Sequence, residues 1–156
     1  MDRNKKLEWI AALLRAESTL ALATVDEGGL PSIAPLFYLV DESLTLYWLS
    51  SPNSQHSRNL LREPRAAVTV YRSVENWKEI CGVQMRGRVE IVSEKARRKE
   101  IIERYCQRFQ LGTLFHLAIR QSTLYAFAPE FIRAVDNSRH FGWSFELTLQ
   151  RAGGEF

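Results

Sequence analysis

Leu46-Tyr47-Trp48-Leu49-Ser50-Ser51-Pro52-Asn53-Ser54-Gln55-His56-Ser57-Arg58-Asn59-Leu60-Leu61-Arg62-Glu63-Pro64 changes its periodicity halfway along. From Leu44 to Ser50 the residues alternate, with Leu44, Leu46 and Trp48 on one face and Thr45, Tyr47 and Leu49 on the other, which is the period of a strand. Both faces are partly apolar, so this strand is expected to be covered on both sides. Ser54 then opens a short helix as its cap, and Pro64 stops it, because the residue before a proline is pushed out of helical geometry. At the junction the hydroxyls of Ser50, Ser51, Ser54 and Ser57, the amide of Gln55 and the cations His56 and Arg58 crowd a helix N-terminus, whose free N–H groups attract anions. Two readings stand here. The junction seats a phosphate, or its serines only cap and turn while His56 and Arg58 are solvated.

Upstream, Leu7, Ile10, Ala11 and Leu14 recur at helical spacing behind an Asp2 cap, which predicts an amphipathic helix ending before Ser18. Thr19 to Val25, the turn Asp26-Glu27-Gly28-Gly29 and the extended run Pro31 to Val40 read as a β-hairpin. Asp41-Glu42-Ser43 turns the chain into the strand of the opening paragraph. Downstream come a strand at Ala66 to Tyr71 and a loop at Ser73 to Lys78. The clearest alternation follows, with Val83, Met85, Gly87, Val89 and Ile91 set against Gln84, Arg86, Arg88 and Glu90. Ser93 is expected to cap a helix reaching about Phe109, with an inner stripe of Ile101, Ile102, Tyr105, Cys106 and Phe109 and outer i, i+4 pairs Glu94/Arg98 and Glu100/Arg104. A further helical turn falls near Leu111 to Ile119. Strands at Thr123 to Ala128, Phe131 to Asp136 and Trp143 to Leu149 close the chain. About eight short strands with three helices, lacking the strand and helix alternation of a parallel sheet, point to an antiparallel barrel with helical additions.

The composition sets the limits. A chain of 156 residues is the size of one domain, and 46% hydrophobic with 25% charged residues is an ordinary globular mixture. The net charge of +3 is too small for the electrostatic footprint of a dedicated nucleic-acid binder. Lys5 and Lys6 precede an apolar run that Arg15 and Glu17 cut short, so no signal peptide is expected. No stretch is long enough to span a bilayer, and Cys81 and Cys106 read as reduced thiols, so the expected location is cytoplasmic. Gly-x-Ser-x-Gly, Gly-x-Gly-x-x-Gly, Walker and His-Glu-x-x-His motifs are all missing, and His56, His116 and His140 are widely spaced without nearby ligand partners, so no metal site is expected.

The stretch Ser54 to Pro64 resembles, without a gap, the Ser-Arg-Lys-x-Lys-x-Leu-x-x-Asn-Pro segment of the pyridoxamine 5′-phosphate oxidase family. Ser50 falls where that family has the Thr of its Phe-Thr-Asn. The Gly-x-Pro hairpin, the strand after Pro64 and Val83-Gln84-Met85-Arg86-Gly87-Arg88-Val89 follow the family's order, so the resemblance covers about residues 18 to 92. It implies a mainly β (α+β) fold, an antiparallel split β-barrel of the FMN-binding type with about three flanking helices, occupying residues 1–156 as one domain. It also implies a homodimer with the flavin at the subunit interface.

Carried over residue by residue, the resemblance assigns Ser50, Ser54, Gln55 and His56 to the FMN phosphate and ribityl region, with Ser51 as a further hydroxyl beside them. Leu36 and Phe37 would meet the ring edge through their backbone. Gln55 and His56 stand for an arginine and a lysine, which leaves Arg58 or Arg86 to supplement the charge facing the phosphate. Gln84 approximates the family's flavin-contacting glutamine, offset by two residues on the same face. Phe141 and Trp143 would stack near the flavin from the partner subunit or plug the barrel end. The oxidase's Arg-x-x-x-x-Lys positions read Ala34 and Leu39 here, and its C-terminal Arg-Leu-Ala-Pro is missing, so pyridoxamine phosphate is not the expected substrate. The resemblance is instead to an uncharacterised bacterial branch of the superfamily. It implies a flavin-dependent oxidoreductase acting on an unknown small substrate, with NAD(P)H or another reductant supplying electrons and no general base evident. The alternative is a non-catalytic cofactor-binding or sensing module, for haem or a deazaflavin, on the same barrel.

Overall fold

The computed structural model describes residues 1–149. Helix α1 (Arg3–Ala16) starts on Asp2, whose side chain accepts the Lys5 N–H. Eight strands follow: β1 (Thr19–Val25), β2 (Pro31–Phe37), β3 (Leu39–Val40), β4 (Leu46–Ser50), β5 (Arg65–Tyr71), β6 (Cys81–Ile91), β7 (Thr123–Asp136) and β8 (Ser144–Thr148). Helix α2 (Gln55–Arg62) lies between β4 and β5, and α3 (Lys95–Phe109) and α4 (His116–Gln121) between β6 and β7. The hydrogen-bonded order is β2-β1-β5-β6-β7-β4-β3, all neighbours antiparallel, with β8 on β7. Because β3 continues β2 after a bend at Tyr38, the two ends of that order are one piece of chain and the sheet closes as a split barrel.

The bend is anchored twice. Tyr38 N–H donates to the Ser18 carbonyl at 3.1 Å, and its hydroxyl donates to the Leu14 carbonyl at the end of α1 at 2.6 Å. Leu13, Leu14 and Ile10 of α1 are thereby pressed into the barrel interior with Leu22, Leu46, Trp48, Val70, Met85, Phe127 and Ile132. Each such buried aliphatic side chain contributes about 1.5–3 kcal/mol. A second core packs Leu39, Tyr47, Leu124 and Ala126, from the other face of the sheet, beneath Ile101 and Tyr105 of α3. Strand β4 is thus covered on both sides, as its sequence predicts.

Several expectations need correction. The two strands expected at 123–128 and 131–136 are one. Pro129, which cannot donate to a ladder, falls at a bulge where the register shifts between Arg86 and Gly87, leaving Glu130 as the extra residue. Gly87 makes that crossing feasible, since a Cβ there would lie 2.0 Å from the Ala128 carbonyl oxygen. Helix α3 is capped by Glu94 rather than Ser93, because its carboxylate accepts two N–H groups, Ala96 and Arg97. Glu94 is therefore not paired with Arg98, whose guanidinium instead donates to the Ser122 carbonyl at 2.9 Å. The i, i+4 ion pair of this helix is Lys99–Glu103 rather than Glu100–Arg104. Ile91, expected inside, is exposed at the strand end. Leu44 takes a positive φ of 62°, so β4 begins two residues later than its alternation predicts.

Candidate functional site

The strand-to-helix junction is built as one polar cluster. Ser50 ends β4, and Ser54 caps α2 by accepting the Ser57 N–H. His56, in the first turn, reaches back so that Nε2 lies 2.8 Å from Ser50 Oγ and 3.1 Å from Ser54 Oγ. Ser54 Oγ donates its hydrogen to Ser57 Oγ at 2.8 Å. Its oxygen can then only accept from His56, which assigns the proton to Nε2 in this network. With the Ser54 hydrogen, the imidazole N–H and the Ser57 N–H used inside the cluster, the donors left for an incoming ligand are the Ser50 and Ser51 hydroxyls and the remaining N–H groups of the first helical turn. The His56 N–H could turn to an anion in exchange for its serine contacts. Among the described residues no carboxylate is hydrogen-bonded to this cluster. That donor set suits a phosphate.

Helix α2 is held in place from below. Asn59, buried, donates from Nδ2 to Thr24 Oγ1 at 3.0 Å, fastening the helix to β1. Burial also pushes the His56 imidazole below its ordinary pKa, so it is neutral near pH 7 before any anion arrives. The fixed charge at this corner belongs to Arg58, whose guanidinium is held by the Asn53 carbonyl and by Gln55 Oε1.

Of the sequence candidates, Ser50, Ser54 and His56 come together here. Ser51 is exposed beside them, its Oγ accepting the Asn53 N–H at 3.2 Å. Gln55 does not join the cluster: its amide lies along the outside of α2, donating to Asn59 Oδ1 and accepting from Arg58. Leu36 and Phe37 end β2 just before the bend at Tyr38, beyond which β3 pairs with β4 through Leu39↔Tyr47. Leu36 packs against the barrel core. The Phe37 ring meets Phe109 at 5.0 Å, and its carbonyl accepts the Tyr105 hydroxyl at 3.3 Å.

Gln84 and Trp143 lie elsewhere. On β7, Ser50 pairs with Thr123 but Gln84 pairs with Arg133, ten residues along. Across the sheet the other way, Gln84 pairs with Thr69, Thr69 with Ala21 and Ala21 with Pro35, so Gln84 stands three strands, roughly 14 Å, from the residue before Leu36. Gln84 lines an open groove of about 460 Å³ on the outer sheet face. Gly82, two residues back on the same face, has no room for a side chain, since a Cβ would meet Tyr71 Cβ at 2.8 Å. Gln84 is therefore the amide that this part of β6 presents. Trp143 packs on Phe145 and Trp9 at the barrel end, with the Arg139 guanidinium 4.4 Å from its ring centroid. Phe141 stands apart from it, edge-on to Trp77 at 5.6 Å.

Ser57, one of the hydroxyls expected at the junction, accepts from Ser54 Oγ, while Asn59 and Thr24, to which the sequence does not point, support the corner from below. Only the step of three from Ser54 to Ser57 has helical spacing; Ser50, which ends a strand, carries no periodic signal that ties it to them.

A family model described as pyridoxamine 5′-phosphate oxidase matches residues 7–136, and the chain belongs to that family. A UPF0306 protein of Yersinia pestis is 29% identical over 110 residues, covering 70% of this chain and 71% of that protein. Among solved structures, a Clostridium acetobutylicum protein related to general stress protein 26 of B. subtilis (pyridoxinephosphate oxidase family) superposes with a TM-score of 0.71 at 14% identity, covering 96% of this chain and 97% of that one. HutZ, the haem storage protein of Vibrio cholerae, superposes with a TM-score of 0.64 at 19% identity over 82% of this chain and 89% of that one. At these identities the superpositions speak for the split-barrel fold alone. Where the resemblance expects a lysine, Leu39 is buried in the second core with Tyr47 and Tyr105, so an apolar packing contact stands there instead of a cation.

Proposed function

We propose that two copies of this chain bind FMN and act as a flavin-dependent oxidoreductase on a small substrate, with NAD(P)H as the reductant. The observation that carries the reading is the Ser50–His56–Ser54 cluster at the N-terminus of α2, a preformed set of donors without an opposing carboxylate. Ser50, Ser51, Ser54 and His56 would hold the phosphate, with the Arg58 charge nearby, and Leu36 and Phe37 would border the ring. Gln55 would act through Arg58, which it orients. When bound, the flavin supplies the hydride chemistry; the protein excludes water and fixes the orientation.

The pairing of two chains is supported by two features. Gln84 and Trp143 make no hydrogen bond or ring contact with the cluster among the described residues, and at the subunit interface that the resemblance implies they would approach it from the second copy. The outer face of β2, β1 and β5 is also apolar and uncovered, with Ile33 72% exposed beside Ala21, Ala23 and Ala67. A two-fold pairing through this face would be isologous, each copy burying the same apolar strands against the other. No described helix is long and apolar enough to cross a membrane, and both cysteines are free, which supports a reducing cytoplasm as the place of action.

The test is spectroscopic. The purified protein should show a flavin spectrum that NADH or NADPH bleaches anaerobically. A bound flavin that neither nucleotide reduces would make the protein a binding or sensing module. A Soret band would move the reading to haem, the ligand named for the Vibrio cholerae neighbour.

A further inference from the structure

We infer that Arg86 is the cation that each protomer contributes to the ring end of its partner's flavin site, an inference that rests on the dimeric flavin reading above. Arg65, Arg86, Arg88 and Arg133 rise from the outer faces of β5, β6 and β7. Three of them are neutralised within their own chain. Arg65 pairs with Glu63 at 2.7 Å, Arg88 with Glu130 at 3.5 Å and Arg133 with Glu146 at 3.8 Å. Arg86 makes no ion pair among the described residues, and its guanidinium carbon instead lies 4.5 Å from the Phe131 ring centroid. A cation–π contact steadies the group without cancelling its charge, and it leaves the N–H fork free for a further partner. Arg86 also lines both of the grooves, of about 460 and 560 Å³, that adjoin on the apolar outer face.

Closing that face against a second copy would strip water from an unneutralised guanidinium, which is costly unless an anion arrives from the other side. The two ends of the proposed cofactor site differ in what they lack. The phosphate end has the α2 N–H groups, His56 and Arg58, whereas the ring end has only Leu36 and Phe37 from its own chain. Arg86 stands two residues from Gln84 on the same face of β6, roughly 7 Å along the strand. Whatever part of the partner's ligand Gln84 meets, Arg86 stands beside it. Hydride transfer from a reduced nicotinamide moves two electrons and one proton to the ring, leaves one negative charge on it and releases the oxidised nicotinamide. A cation held next to the ring in a dry cleft stabilises that charge and raises the midpoint potential.

The experiment is a redox titration of the FMN-loaded dimer against reference dyes, for the wild type, Arg86→Gln, Arg86→Met and Arg86→Lys. The two neutral variants should show a lower midpoint potential, Arg86→Lys should keep most of the wild-type value, and the affinities for FMN and riboflavin should change by the same factor. An unchanged potential in a loaded, dimeric neutral variant would overturn the inference. A loss of affinity confined to FMN would also overturn it, by moving Arg86 to the phosphate. A wild-type protein that stays monomeric or takes up no flavin fails at the earlier reading, and the role of Arg86 falls with it.

Discussion

Ser50 Oγ lies 2.8 Å from His56 Nε2, so the last residue of a barrel strand is tied to the first turn of the helix that follows it. The contact fixes the angle at which α2 leaves the sheet, and with it the direction of the helix's free N–H groups. Burial keeps that imidazole neutral near pH 7 before a ligand arrives.

That neutrality should make binding pH-dependent. A phosphate dianion at Nε2 favours the imidazolium, so FMN binding should draw in a proton. We expect FMN affinity to rise as the pH is lowered from about 8 toward 6.5, above the phosphate's own second pKa of about 6. Riboflavin affinity should stay flat over the same range, and His56→Gln should flatten the FMN profile. Calorimetry in buffers of different ionisation enthalpy reads the proton uptake; its absence would remove His56 from the ligand.

The ligand-free protein should respond with the opposite sign. Unfolded histidine titrates near 6.5, while the folded group titrates lower because it is half-buried. Between those values the unfolded chain binds more protons, so stability rises with pH and falls away as the pH drops through that window. The melting temperature should therefore decline on acidification below about pH 6.5, and less steeply in His56→Gln. Parallel melting curves for the two proteins would contradict the burial argument.

Gly87 should tolerate no side chain. The Cβ of Gly87→Ala would meet the Ala128 carbonyl oxygen at 2.0 Å, and the obstacle is backbone rather than a movable side chain. A loss of at least about 3 kcal/mol in urea unfolding is expected, because the bulge that joins β6 to β7 must open. A loss below about 1 kcal/mol would mean that the bulge adapts freely.

Ile33→Glu tests the proposed pairing face. The side chain is exposed on the outer face of β2 and packs on nothing in its own core, so folding should be unaffected. A charge there would be buried against the second copy, and sedimentation should show a shift from dimer toward monomer with loss of flavin. A dimeric, flavin-loaded Ile33→Glu would exclude this face.

Much of the fold was legible because local chemistry and tertiary packing agree. Alternation and a turn-forming tetrad delimit β1 at Thr19–Val25, and Ser54 and Pro64 bracket α2. The single long β7 was not legible. Ala128-Pro129-Glu130 carries the features of a turn, and only the Gly87 opposite, forty-one positions earlier in sequence, turns it into a bulge. Ser93 is the cap that residue preference points to, and Glu94 takes the place because its carboxylate accepts two N–H bonds, those of Ala96 and Arg97. At the site, Ser50, Ser54 and His56 could be grouped because all three sit at one strand-to-helix junction. Gln55 could not be separated from His56 by sequence adjacency, although a helix turns neighbouring side chains about 100° apart. Gln84 and Trp143 lie apart from that junction because β7 carries the register ten or more residues past Thr123, a separation that only the strand pairing reveals.

The most direct test of the phosphate seat is a paired titration of FMN and riboflavin into the wild type and His56→Ala, followed by flavin fluorescence. Losing a charge-assisted bond at Nε2 should weaken FMN by about 10- to 100-fold and leave riboflavin nearly unchanged. Equal losses for the two ligands, or none for either, would contradict the assignment of Ser50, Ser54 and His56 to the phosphate.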